Sequence, residues 1–199
     1  LSDTSTGWIL VIAMALVMVA VIYAIVYVQQ GRRNVPVMYP GRRVGNRMSM
    51  PVKGTLPLMV NLAGMIPLIF ASAILQFPTL VASWMLRSEY EGVVKFATGM
   101  YNTFNAQGSN PWIYWLLYFI FVVALSFFYT DVMFTQQNYG DNLKKIGAQI
   151  PGVIRGSPTQ KYLTKVQRRI TLPGALFLGL VAILPYIIGL VLNLVGINT

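Results

Sequence analysis

Four apolar runs dominate this chain of 199 residues, at about 8–28, 56–84, 112–133 and 172–195. About 20 helical residues cross a hydrocarbon core of roughly 30 Å, so each run is long enough to span a membrane. A helix satisfies its own backbone where no water reaches, which few other structures can do. The runs therefore predict an all-α integral membrane protein with four transmembrane helices, forming a single membrane domain over residues 1–199. Composition points the same way, with 56% of residues hydrophobic and 10% charged, against about a quarter charged in a soluble domain. Trp8, Trp84, Trp112 and Trp115 lie near run ends, where amphipathic rings favour the headgroup level.

The connecting loops differ sharply in charge. Residues 29–54 carry Arg32, Arg33, Arg42, Arg43, Arg47 and Lys53 without an acid. Residues 134–171 carry Lys144, Lys145, Arg155, Lys161, Lys165, Arg168 and Arg169 against Asp141. Residues 85–111 balance Arg87 and Lys95 with Glu89 and Glu91. Positive charge is retained inside, so the two basic loops are expected to be cytoplasmic, with the neutral loop and both termini external. The net charge of +10 then reports topology before it reports nucleic acid. The chain opens on Leu1 close to a span, with no charged leader, and reads as a piece of a longer protein without a signal peptide.

Within the first basic loop, residues 34–52 read as a β-hairpin, two extended stretches flanking Pro40-Gly41 with arginines at the tip. In the external loop, Val93, Phe96, Ala97, Met100, Tyr101 and Phe104 recur at helical spacing. That predicts a short amphipathic helix on the membrane surface. The run LPLMVNLAGMIPLIFASAILQFPTLVASW, residues 56–84, is the unusual one. As a helix it would kink at Pro67 and Pro78. Asn61, Ser72, Gln76, Thr79 and Ser83 would fall near one face, interrupted by Leu68 and Ile69. Such a stripe reads either as packing between helices, where an interhelical hydrogen bond contributes about 0.6 kcal/mol, or as a face bordering water or a moving partner.

Several chemistries find no residues here. The chain has no cysteine and no histidine, which removes disulfides, thiol catalysis and the usual zinc and haem ligands. It has no paired intramembrane carboxylates and no phosphate-cradling Gly-Lys motif, so no enzymatic function, catalytic residue, cofactor or metal is expected. Half of a small-molecule transporter is an alternative, since broken helices also build substrate sites. Its coupling residue would have to be Asp131, the one span acid, which lies near a span end. A membrane scaffold is the other alternative. The basic loops allow attraction to anionic lipid, at about 1 kcal/mol per residue near the surface, or docking of acidic or phosphate surfaces that guanidinium groups bind bidentately.

The run at 56–84 resembles the seventh membrane helix of the SecY family, central subunits of the bacterial protein-conducting channel. QQGRRNVPVMY resembles the end of helix six, and DNLKKIGAQIPGVIRG with TQKYLTKVQRRITLPGALFLGLVAILP resembles the loop into helix nine and that helix. The likeness is collinear and covers helices six to nine. It implies a channel that moves secretory polypeptides across the bacterial plasma membrane and releases membrane segments sideways into lipid. It further implies a lateral-gate position at Asn61, extended on this helix to Ser72 and Gln76, and a pore-ring residue at Ile69. The basic loops, with Arg32, Arg33, Arg42, Arg43, Arg47 and Arg155, correspond to the docking surface for the SecA motor ATPase and the ribosome. SecE-like and SecG-like subunits, the translocating polypeptide, lipid and further helices of the same channel are the other implied partners. Two departures stand out. Arg155 lies one residue later than the family's loop arginine, and Gln29 and Gln30 stand where an acid often precedes the Arg-Arg pair.

Overall fold

The computed structural model describes residues 4–41, 43–44, 47–48 and 50–194. Helix α1 (Thr4–Gln30) leads into strands β1 (Arg32–Tyr39), β2 (Arg43–Val44), β3 (Arg47–Met48) and β4 (Val52–Met59). Helices α2 (Ile66–Met85), α3 (Glu91–Phe104), α4 (Pro111–Gln136), α5 (Tyr139–Lys145) and α6 (Ser157–Leu194) follow. Among the described residues, α1, α2, α4 and α6 contain the four stretches long and apolar enough to cross a membrane. The chain is thus a multi-pass membrane protein of mainly helical fold with one small strand-built projection.

Helix α4 is the axis of the packing. Its buried residues, Tyr114, Tyr118, Val122, Ser126, Thr130 and Phe134, recur at every fourth position. That spacing holds one stripe against a neighbour, chiefly α6. On α6, Gly179 permits a close approach, because a Cβ there would lie 2.6 Å from Cε2 of Phe119. Helix α2 contributes Ala71 and Leu75 to the cluster that Tyr114, Tyr118, Val122, Leu178 and Ala182 complete. Helix α1 stands apart. Residues 11–20 are all exposed, and an apolar groove of about 670 Å³ runs between its middle and Leu184–Val191 of α6. Exposed apolar side chains incur no hydrophobic penalty in lipid, whose tails are as apolar as leucine.

The structure corrects the sequence reading of the second run. Its first residues are strand, not helix: β4 extends to Met59, and α2 begins only at Ile66. In β4 the half-buried and buried positions are Gly54, Leu56 and Leu58, with exposed Thr55 and Pro57 between them. This is the two-residue period of a strand, hidden in a run apolar enough to pass for helix. A turn then separates strand from helix, with Gly64 at φ 64°. Asn61 lies in that turn, its Nδ2 donating to the Gly64 carbonyl at 3.0 Å, and so is not on a helical face with Ser72 and Gln76. Pro67 occupies the first turn of α2, where a missing N–H removes no helical bond. Only Pro78 lies in the helix interior, so the expectation of two kinks fails at Pro67.

The hairpin also differs in register. β1 pairs antiparallel with β4 from Arg32↔Met59 to Tyr39↔Val52, and β2 pairs with β3 as a separate short ladder. Pro40-Gly41 is therefore the break between two ladders and not the hairpin turn. Proline cannot donate to a ladder, which suits it to such an interruption. Arg42 and Val195 lie outside the described residues. The second basic loop is largely helical. It holds α5 and the first turns of α6, which begins at Ser157, well before the span boundary expected at Leu172. At 38 residues, α6 is about 57 Å long, so its first part projects beyond any bilayer core.

That projection forms the seat of the hairpin. Val35, Val37 and Leu58 from the strands pack with Phe134, Leu143, Ala148, Ile150, Leu163 and Ile170. The β1 edge is extended by one bridge, in which the N–H groups of Met38 and Gln149 donate to each other's carbonyls at 2.7 and 2.8 Å. Gly147, at φ 69°, permits the approach, since a Cβ there would lie 3.0 Å from Cγ of Pro40.

Candidate functional site

Two regions carry the residues singled out in the sequence. The first is the open face of α2. Its packed side consists of Pro67, Ala71, Leu75 and Ala82, all buried. On the opposite side Ile69, Ala73, Gln76 and Leu80 are exposed, Ile69 at 63%. Ile69 and Gln76, seven residues apart, fall near one line on a helix of 3.6 residues per turn. Ser72 is half-buried beside them.

The polar groups on this helix are largely spent on it. The Ser72 hydroxyl donates to the Ile69 carbonyl at 2.8 Å, and that of Ser83 to Leu80 at 2.7 Å. Thr79 reaches outward, donating to the Phe104 carbonyl at the end of α3 at 2.9 Å. Gln76 and Thr79 border a cavity of about 280 Å³ with Leu80, Phe104, Asn105 and Tyr114. The structure thus unites Ile69, Ser72 and Gln76 on one side of a helix and leaves Asn61 in the turn below them.

The second region is the basic projection. Arg32 and Arg33 are exposed at the first positions of β1, beside Met59 and Leu58 of β4. Arg43 and Arg47 belong to the short distal ladder. A strand of eight residues covers about 26 Å, so Arg32 and Arg33 at the base of the hairpin stand well apart from Arg43 and Arg47 in its distal ladder. Arg155 reaches the same structure from the other loop. It is exposed, and its Nε donates to Oε1 of Gln149 at 3.1 Å. Because the Gln149 backbone bridges to Met38, Arg155 is tethered to the outer half of β1. The two basic loops, distant in sequence, therefore form one surface.

Further side chains shape that surface without having stood out in the sequence. Gln160 accepts from the Gly140 N–H at 2.7 Å, fixing α5 on α6. Gln167 is buried and donates to the Met59 carbonyl at 2.9 Å. Asp131 receives two bonds from Arg168. Lys161, Lys165, Arg168 and Arg169 border a groove of about 390 Å³ on the projecting part of α6. Amides such as Gln149 and Gln167 carry no periodic or charge signal, so only the fold reveals their partners. The arrangement provides an exposed cationic platform joined to a helix with one unpacked, mainly apolar face.

Comparison with known proteins agrees with this architecture. The SecY family profile matches residues 2–198. The chain is 41% identical over 175 residues to a protein translocase subunit SecY from Synechococcus elongatus, covering 88% of the chain and 38% of that relative. It is 41% identical over 182 residues to a protein of the same name from Streptomyces galbus, covering 90% and 39%. A third, from Mycobacterium leprae, is 39% identical over 182 residues, covering 91% and 41%. The chain thus spans about two fifths of the length of these relatives.

Proposed function

The chain belongs to the SecY family, and we propose that it supplies four membrane helices of a protein-conducting channel in the bacterial plasma membrane. The channel moves secretory polypeptides across the bilayer and passes membrane segments sideways into lipid. Helices outside this segment complete the pore with α2, and SecE-like and SecG-like subunits brace it. The hairpin and the α5–α6 platform face the cytoplasm and dock the SecA motor ATPase or the ribosome. Both ends of the segment lie outside.

The observation that carries this reading is the two-sided character of α2. One side is packed through Ala71, Leu75 and Ala82, while Ile69 and Gln76 stand unpacked on the other. An unpacked apolar face suits a constriction that sheds water and fits around a passing chain. The fused basic platform supports the docking role, since long-range attraction of an acidic or phosphate-bearing partner requires clustered charge. Attraction to anionic lipid acts on the same charges.

Site-specific photocrosslinking in the full-length channel tests the reading. A probe at Ile69 is expected to capture an arrested secretory chain, whereas one at Ile120, exposed on α4, is expected to capture lipid. Capture of lipid alone from Ile69 overturns the pore assignment.

A further inference from the structure

The geometry points to Gln167 as a positioning residue that latches the joint between the basic hairpin and α2, an inference that rests on the gate and docking roles proposed above. Gln167 is 2% exposed. Its amide Nε2 donates to the carbonyl of Met59 at 2.9 Å and lies 3.4 Å from Oγ1 of Thr171. The Thr171 hydroxyl in turn donates to the backbone carbonyl of Gln167 at 3.0 Å. Met59 is the last residue of β4, and a short turn connects it to α2.

The next residue is held as tightly. The Val60 N–H donates to the Gly31 carbonyl at 2.9 Å. A Cβ at Gly174 of α6 would lie 3.0 Å from the Val60 carbonyl oxygen, and one at Gly31 would lie 3.1 Å from Cγ2 of Val60. Two consecutive residues are thus gripped by α6 on one side and by the end of α1 on the other. Beyond them the turn is held by Asn61 on Gly64, and α2 begins.

This joint is where a push on the platform passes to the gate helix or is lost. The hairpin itself is seated by an apolar cluster and by the Met38–Gln149 bridge, so removing one amide leaves it in place. The strand end and turn rest on a few contacts, of which the Gln167 bond to Met59 is the hydrogen bond that a side chain of α6 supplies. Met59 itself is 41% exposed, so when its carbonyl loses the buried donor it can turn to water, and the local remedy is for Met59 and Val60 to shift outward. Gln167 is therefore a coupling element, distinct in effect from the arginines that bind partners and from Ile69 at the pore.

The test uses Gln167→Met, which preserves volume and removes the donor, in the full-length channel reconstituted with its motor partner. Hydrogen exchange in the peptide covering residues 59–66 is expected to rise about tenfold, with residues 32–39 unchanged. Partner affinity stays within about twofold, while translocation per assembled channel falls severalfold. Thr171→Val, which keeps the bond to Met59, behaves as wild type. Gly174→Ala crowds Val60 from the same helix and raises exchange in the same peptide, so it reads the joint even if Gln167→Met assembles poorly. Unchanged exchange at 59–66 in both variants overturns the latch, as does normal translocation per channel in a Gln167→Met variant with a loosened joint. If the partner fails to stimulate even the wild-type channel, the docking role fails and takes the coupling role with it, while the exchange data still decide the latch.

Discussion

Asp131 on α4 and Arg168 on α6 meet as a two-point ion pair, Nε to Oδ1 at 3.0 Å and Nη2 to Oδ2 at 2.7 Å. The side chains are 37% and 60% exposed, so water or headgroups screen the attraction and its direct contribution is small. Its geometry is more specific than its strength. A planar guanidinium facing both carboxylate oxygens sets the rise of α6 along α4, next to buried Thr130 and Phe134.

Charge reversal separates register from simple attraction. Asp131→Arg is expected to lower the yield of assembled channel more than Asp131→Asn, because it places two cations side by side. The exchanged pair, Asp131→Arg with Arg168→Asp, recovers most of the yield. Failure of the exchange to recover anything would show that the two positions act independently. Yield on detergent gel filtration is the measurement.

Ile69 and Leu75 lie on different sides of α2, about 120° apart at 3.6 residues per turn, and their truncation has opposite signatures. Ile69 is 63% exposed and Leu75 fully buried. Ile69→Ser is expected to change stability within about 0.5 kcal/mol while raising ion conductance of the reconstituted channel. Leu75→Ala loses about 2–5 kcal/mol through cavity formation and lowers assembly. Poor assembly with normal conductance in Ile69→Ser would assign that residue to packing.

Docking is tested at the tether between the loops. Arg155→Glu is expected to weaken motor or ribosome binding about tenfold at low salt, with the loss shrinking as salt screens the contact. Gln149→Leu keeps the charge but frees the arginine, and a smaller loss is expected. Arg43→Glu with Arg47→Glu probes the distal ladder in the same assay. Equal binding of all variants at low salt leaves lipid attraction as the use of these charges.

Topology is read by impermeant thiol labelling of intact cells, made simple by the absence of native cysteine in this segment. Cysteines replacing Lys53 and Lys165, both exposed, are expected to be protected. A cysteine at Gly99 is expected to react, and a Cβ there meets nothing within 4 Å. Labelling at Lys53 from outside reverses the orientation.

The four helices long and apolar enough to cross a membrane were legible because length and hydropathy alone suffice to mark them. The strand β4 was not, because Leu56, Pro57, Leu58 and Met59 are all apolar and their alternation shows only once one face has a partner. That misreading moved Asn61 onto a helix it precedes and gave Pro67 a kink it does not make. The exposure of Ile69 was not legible, since an apolar residue in a span has no sequence mark for the side it faces. The pairing of Met38 with Gln149 could not be seen at all. It joins two backbone groups far apart in sequence, and backbone groups are the same at every residue.

The seating of the hairpin has a consequence for the order of biogenesis. Its strands end at Met59, but Phe134, Leu143, Ala148, Ile150, Leu163 and Ile170, against which Val35, Val37 and Leu58 pack, are synthesised later. At about 5–20 residues per second, roughly a hundred further residues take about 5–20 s to emerge. Throughout that interval the apolar face of Val35, Val37 and Leu58 stays uncovered, and a two-stranded hairpin without such cover is at best marginally stable. Any pause in synthesis between α2 and α6 prolongs that exposure.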